Sequence, residues 1–208
     1  MAGVCVAILL KVEKNVIPTQ TKVYPKPIAI TFDDGPNETY TALLLDELEK
    51  RNIKASFFVI GEKAKENPEL IKRIKESGHL LGNHTFSHIY LEEGNRQQYL
   101  DELVQTNNIL EEITGQEISF VRPPFGKWEK DLEDQTNLIP VFWTIDPLDW
   151  CNYDVNKIVN CVVRNAKEND IILLHDNYDT SVQAALEIID ILTKNNFYFV
   201  TVDEILFD

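Results

Sequence analysis

The residues of this chain that can do chemistry stand where its apolar runs stop. Asp33 and Asp34 follow Ile28-Ala29-Ile30-Thr31-Phe32 and precede Gly35-Pro36. His84 and His88 enclose Thr85-Phe86-Ser87, and Arg122 opens Arg122-Pro123-Pro124-Phe125-Gly126. Asp146 and Asp149 flank Pro147-Leu148, Trp150 follows, and His175 ends Ile171-Ile172-Leu173-Leu174. Each alone has a plainer reading: Asp-Gly-Pro is turn chemistry, a lone strand histidine is a satisfied core residue, and Trp150 and Leu173 are packing. Solvated residues acting independently would not choose the same end of so many strands.

Together these residues compose a hydrolytic site. Two imidazoles and a carboxylate hold a divalent metal with positions open for water and substrate. In an extended strand the Cα atoms of His84 and His88 would lie about 13 Å apart, too far for two metal bonds of about 2.0–2.1 Å. A structured loop is therefore expected between them. One of the paired aspartates can ligate the metal while the other accepts a proton from the attacking water, oriented by a bidentate Arg122. The peptide N–H of Phe125 is available to an oxyanion. Asp149 would raise the pKa of His175 and fix its tautomer for protonating a leaving group, and Trp150 and Leu173 could wall a slot for a methyl.

The elements that must position these residues alternate. Strands are expected at Ile28–Phe32, Ala55–Ile60, His79–Leu81, Ile118–Arg122, Ile139–Thr144, Ile171–Leu174 and Phe197–Val202, short and apolar on both faces as in parallel sheets. Helices are expected near 39–51, 68–77, 96–114, 129–135, 154–168 and 181–195. Asn67-Pro68 and Asp154 mark starts, Gly78 and Gly115 mark stops, and Thr180 with Gln183 has capping-box spacing. The pattern predicts an α/β fold closed or nearly closed as a barrel, with an open doubly wound sheet as the alternative, and in both function collects at the C-terminal strand ends.

Composition narrows the partners. The 208 residues suit one domain, and 34 acidic against 20 basic residues give a net charge of −14. Such a surface repels phosphate backbones and anionic lipid, which argues against nucleic acid and fits a neutral substrate or a cationic product. Cys5, Cys151 and Cys161 form no paired framework. Val4–Leu10 is apolar but shorter than the roughly 20 residues of a membrane span and lacks a basic n-region. Residues 1–26 are read as a stub or tether, the remnant of a signal or anchor, with an extra strand at Val4–Leu10 as the alternative. Membrane association would depend on residues 4–10 being such an anchor.

Five motifs in order resemble the polysaccharide deacetylases of the NodB-homology type, carbohydrate esterase family four. They are Thr31-Phe32-Asp33-Asp34-Gly35-Pro36, His84-Thr85-Phe86-Ser87-His88, Arg122-Pro123-Pro124-Phe125-Gly126, Asp146-Pro147-Leu148-Asp149-Trp150 and Leu173-Leu174-His175. The resemblance covers residues 27–208 and implies a distorted (β/α)7 barrel that removes acetyl groups from N-acetylglucosamine units of a glycan, peptidoglycan first and chitin oligomers next. It implies Asp33 as base, positioned by Arg122. Asp34, His84 and His88 would hold the metal, zinc first and cobalt second. His175, tuned by Asp149, would be the acid, and Phe125, Trp150 and Leu173 would contact substrate. Phe125 stands where the family often has tyrosine. A glycan substrate implies a secreted or cell-surface protein. An O-acetyl xylan esterase with the same machinery and a non-catalytic glycan-binding relative are the alternatives.

Overall fold

The computed structural model describes residues 25–207, so the stretch Val4–Leu10 lies outside the described residues. Seven parallel strands form the sheet: β1 (Lys26–Asp33), β2 (Ser56–Val59), β3 (Leu80–Asn83), β4 (Phe120–Val121), β5 (Ile139–Pro140), β6 (Ile171–His175) and β7 (Phe197–Val200). Their order is β5-β4-β3-β2-β1-β6, with β7 pairing the first half of β1 through Lys26–Ala29. The segment that begins with β5 touches both edges of this sheet. Pro140 pairs with Val121 of β4, and Ile145 bridges Ile172 of β6. The sheet thereby curls into a distorted barrel, with six positions around the ring and β7 off that path.

Eight helices accompany the strands: α1 (Tyr40–Arg51), α2 (Gly61–Glu66), α3 (Pro68–Glu76), α4 (Arg96–Thr114), α5 (Asp131–Thr136), α6 (Val155–Asn165), α7 (Asp179–Lys194) and α8 (Val202–Phe207). Asp154 caps α6 by accepting from the Lys157 N–H, and Gly115 ends α4 in the left-handed conformation, φ 67°. The Thr180–Gln183 capping box does not form. α7 already begins at Asp179, whose carboxylate receives the Gln183 side chain instead.

Strand alternation separates packing from chemistry. Ile28, Ile30 and Phe32 of β1, Phe57 and Val59 of β2, and Ile172 and Leu174 of β6 face outward into the main core beneath the helices. Ala29, Phe58, Val141 and Ile171 fill the barrel floor with Val202 of α8. Thr31 and Asp33 of β1, like Leu173 and His175 of β6, belong to the inward set. The register pairs Asp33 directly with His175. One buried period-two pattern thus places a carboxylate and an imidazole together at the top of the barrel.

Candidate active site

The loops at this end carry unusual backbone. Nine non-glycine residues among those described have positive φ, and four of them are asparagines, which tolerate it. The other five, Asp34, Thr85, His88, Phe125 and Leu148, all lie in the loops holding the chemical residues. Left-handed backbone at such positions costs of order 1–3 kcal/mol each and persists where surrounding contacts impose it.

Those contacts are visible around the histidines. The His84–His88 segment is a structured loop, as its sequence suggests. The Asn83 side chain accepts from the Thr85 N–H at 2.7 Å and donates to the Leu103 carbonyl and the Asn107 side chain of α4. Buried Glu102 of α4 receives the Ser87 N–H and hydroxyl at 2.9 and 2.8 Å. The first N–H groups of α2, at Gly61 and Glu62, bond the Thr85 and Phe86 carbonyls. His84 Nδ1 lies 2.6 Å from the Arg122 carbonyl, a contact that makes Nδ1 the donor and leaves Nε2 free to ligate.

Asp34 Oδ1 sits 3.3 Å from His84 Nε2 and 3.4 Å from His88 Nε2. That oxygen is buried and has no hydrogen-bond partner. Two ligands on one tetrahedral ion with bonds of about 2.1 Å lie about 3.4 Å apart. The orphaned oxygen and its spacing from both imidazoles therefore fit a divalent metal. Burial alone would raise the Asp34 pKa, but the adjacent His84 imidazole, with His88 and His175, holds it well below the usual carboxylate range. Burial lowers the pKa of His88, as does neighbouring His84, which favours the neutral form a ligand needs.

Asp33 is buried and accepts from Arg122 Nη1 at 2.9 Å, while its other oxygen lies 3.8 Å from His84 Nε2. The pair is single-armed, not bidentate. The remaining guanidinium nitrogens donate to the Val141 and Phe142 carbonyls, and Nη1 also meets the Thr31 hydroxyl. The fully buried Arg122 stacks 4.2 Å above the Phe58 ring. It is thereby anchored to the barrel wall and presents one N–H to Asp33.

His175 Nδ1 lies 2.9 Å from Asp149 Oδ1, and its backbone N–H donates to Asp149 Oδ2. Burial would lower the imidazole pKa, but the Asp149 hydrogen bond and the charges of Asp149, Asp33 and Asp34 raise it to about 9. Next to it, burial and nearby Asp34 push Asp176 up to about 7, against the Thr41 hydrogen bond and Lys63.

Asp33, Asp34, His84, His88 and His175 open on one cavity of about 470 Å³. Leu173 is buried in its wall, and Trp150 stands half-exposed at its rim. The Phe125 ring is 65% exposed and packs edge-on against His88 and Tyr90. Arg122 and Asp149 stand behind the residues they contact. Trp143 and Tyr178 also line the cavity and were not singled out by the sequence, because Trp143 lies in an apolar run that looks like strand core and Tyr178 in a polar loop. A second cleft, of about 380 Å³, lies around Gly78–Leu81 and Ile118–Phe120 at the opposite end. Its His79 is already used, accepting the Ala55 N–H. Cys151 and Cys161 are both free.

Residues 20–141, more than half of the chain, match the family described as polysaccharide deacetylase. The chain belongs to the polysaccharide deacetylase family. The matched span contains Asp33, Asp34, His84, His88 and Arg122 and ends before Asp149 and His175. Longer matches carry the likeness onward. A peptidoglycan-N-acetylglucosamine deacetylase of Bacillus cereus is 38% identical over 200 residues, covering 91% of each chain. The peptidoglycan-N-acetylmuramic acid deacetylase PdaC of Bacillus subtilis is 38% identical over 198 residues, covering 95% of this chain. Its solved structure superposes with a TM-score of 0.82 over 87% of this chain and 90% of that one. A family 4 acetyl xylan esterase from Clostridium thermocellum, solved with cobalt, superposes with a TM-score of 0.80 at 31% identity, covering 86% and 90% of the two chains. The chain spans 41% of the length of PdaC and 60% of a second Bacillus cereus peptidoglycan-N-acetylglucosamine deacetylase.

Proposed function

We propose that this protein is a metal-dependent hydrolase that removes acetyl groups from N-acetylglucosamine units of a glycan, peptidoglycan first and chitin oligomers next. The observation that carries this reading is the meeting of three groups in one cavity: Asp34 with His84 and His88, Asp33 with Arg122, and His175 with Asp149. The Bacillus relatives named above are peptidoglycan deacetylases.

Asp34, His84 and His88 would hold the metal, zinc first for a mixed imidazole and carboxylate set and cobalt second. When bound, a divalent cation supplies Lewis acidity, polarising a carbonyl and acidifying water. Asp33, oriented by Arg122, takes one proton as the water oxygen bonds to the acetyl carbonyl carbon. The Phe125 N–H steadies the charge that develops on the carbonyl oxygen. His175, held protonated by Asp149, gives its proton to the nitrogen as the carbon–nitrogen bond breaks, leaving acetate and a glucosamine unit. Trp150 and Leu173 flank the acetyl methyl. The partner is the acetylated glycan, which places the protein at the cell surface or outside the cell. Among the described residues no helix is long and apolar enough to cross a membrane.

The test is acetate release from N-acetyl-chito-oligomers, peptidoglycan and acetylated xylan, using chelator-stripped protein and then protein given Zn²⁺ or Co²⁺. Metal-restored release from an N-acetyl substrate is expected. Release from xylan alone would make the protein an O-acetyl esterase, as the resemblance to the acetyl xylan esterase allows. No release from metal-loaded protein would favour a non-catalytic glycan-binding role.

A further inference from the structure

Asp34 leaves β1 in the left-handed conformation, φ 70°, so its carboxylate is aimed only as well as the turn 34–37 is held. Hydrogen bonds hold that turn. Lys63 Nζ donates to the Asp34 carbonyl at 2.8 Å, and the Ile60 N–H to the Gly35 carbonyl at 2.9 Å. The Asn37 N–H donates to the Thr41 hydroxyl oxygen at 2.7 Å, and the Thr41 hydroxyl donates to Asp176 Oδ2. Asp176 is fully buried, and its Oδ1 has no hydrogen-bond partner.

The Asp176 carboxylate also lies against Gly35. A Cβ at Gly35 would stand 2.4 and 2.5 Å from its two oxygens, closer than real Cβ atoms come. Only a bare Cα lets the turn rest on this carboxylate. A buried carboxyl with one oxygen unsatisfied costs stability. What it gains here is an acceptor that fixes the Thr41 hydroxyl, whose oxygen then takes the Asn37 N–H. The chain of contacts runs from β6 through the first turn of α1 to the turn bearing Asp34.

We propose that Asp176, acting through Thr41 and against the bare Cα of Gly35, is a positioning residue that fixes the turn presenting the Asp34 carboxylate to the metal. The inference rests on the metal-site reading above. Asp176 does not face the substrate cavity, and its role is to supply an oxygen acceptor. Outer partners of this kind typically set metal affinity within a range of about 10–100-fold.

The test uses the whole chain, with Co²⁺ as probe, chelator competition for affinity, the visible spectrum of the bound ion, and kcat and KM for acetate release. Asp176→Ala and Thr41→Val should each weaken Co²⁺ binding by about tenfold or more, change the visible spectrum, and lower kcat with little change in KM. Asp176→Asn keeps an oxygen for Thr41 and should restore affinity, spectrum and kcat, a rescue that a general loss of stability would not produce. If Asp176→Ala does not fold, Thr41→Val, nearly the same shape, decides. Wild-type affinity and spectrum in Thr41→Val and in folded Asp176→Ala would overturn the proposal, as would an Asp176→Asn no better than Asp176→Ala. A wild-type protein that bound no Co²⁺ would overturn the metal-site reading itself, and this inference with it.

Discussion

His175 and Asp149 hold each other twice, ring nitrogen Nδ1 to Oδ1 and backbone N–H to Oδ2, each at 2.9 Å. The double contact fixes both the position of the imidazole and its tautomer, leaving Nε2 as the ring nitrogen free to act. It also makes the pair a source of pH dependence.

In the metal-free protein His175 stays protonated up to about 9, against 6.5 for a free imidazole. A raised folded-state pKa stabilises fully below the unfolded value, and that stabilisation is lost as pH rises from about 6.5 through 9. The change amounts to roughly 3 kcal/mol. Asp149→Asn removes the principal cause of the rise, so the His175 pKa should fall and this alkaline loss should shrink. Imidazole NMR titration and unfolding at pH 6 and pH 9.5, both without metal, check the two parts.

Arg122 is fully buried, and among the described residues its one carboxylate contact is Asp33. Arg122→Met leaves Asp33 buried without its cation. Breaking one side of such a pair costs about 3–5 kcal/mol. Denaturant unfolding should show a loss of that size. Adding Asp33→Asn to the Arg122→Met protein should recover part of it, because no uncompensated charge then remains.

The exposed Phe125 ring touches His88 and Tyr90, while the group proposed to meet the oxyanion is its peptide N–H. Phe125→Tyr keeps the ring and the backbone, so kcat should stay within about threefold, a barrier change of under about 0.7 kcal/mol. A kcat loss of tenfold or more would assign the side chain a chemical role.

His88 is proposed as a direct ligand, so His88→Ala should cost more metal affinity than the roughly 10–100-fold typical of outer partners. Equilibrium competition with a chelator measures it. Folding should be spared, since His88 lies in a loop and its side chain is 29% exposed.

Most strands were legible because parallel strands buried on both faces leave unbroken Ile, Val, Leu and Phe runs, and polar residues stand at or just after the ends of β1, β3, β4 and β6. The barrel follows from the number of repeats, but the way it closes does not, because the segment from Ile139 to Ile145 splits its pairing between β4 and β6, which no apolar pattern records. Helix α2 was missed: Gly-Glu-Lys-Ala-Lys-Glu buries only Gly61 and Ala64, too little for an amphipathic signal. The contacts of Arg122 followed from three-dimensional crowding, with two carbonyls and a hydroxyl taking the donors that a bidentate pair would have used. Asp176 looked like a loop carboxylate. Its meaning depends on Gly35 and Thr41, both more than 130 residues away along the chain.

The most direct measurement compares wild type with Asp33→Asn, each loaded with Zn²⁺, for bound metal and for acetate release from N-acetyl-chito-oligomers. Asp33 touches Arg122 and Asp34 touches the histidines, so metal content should match the wild type while turnover falls by about 10²–10⁴-fold, the usual contribution of a general base. Normal turnover in Asp33→Asn, or loss of its metal with Asp34, His84 and His88 intact, would contradict the division of labour between the two aspartates.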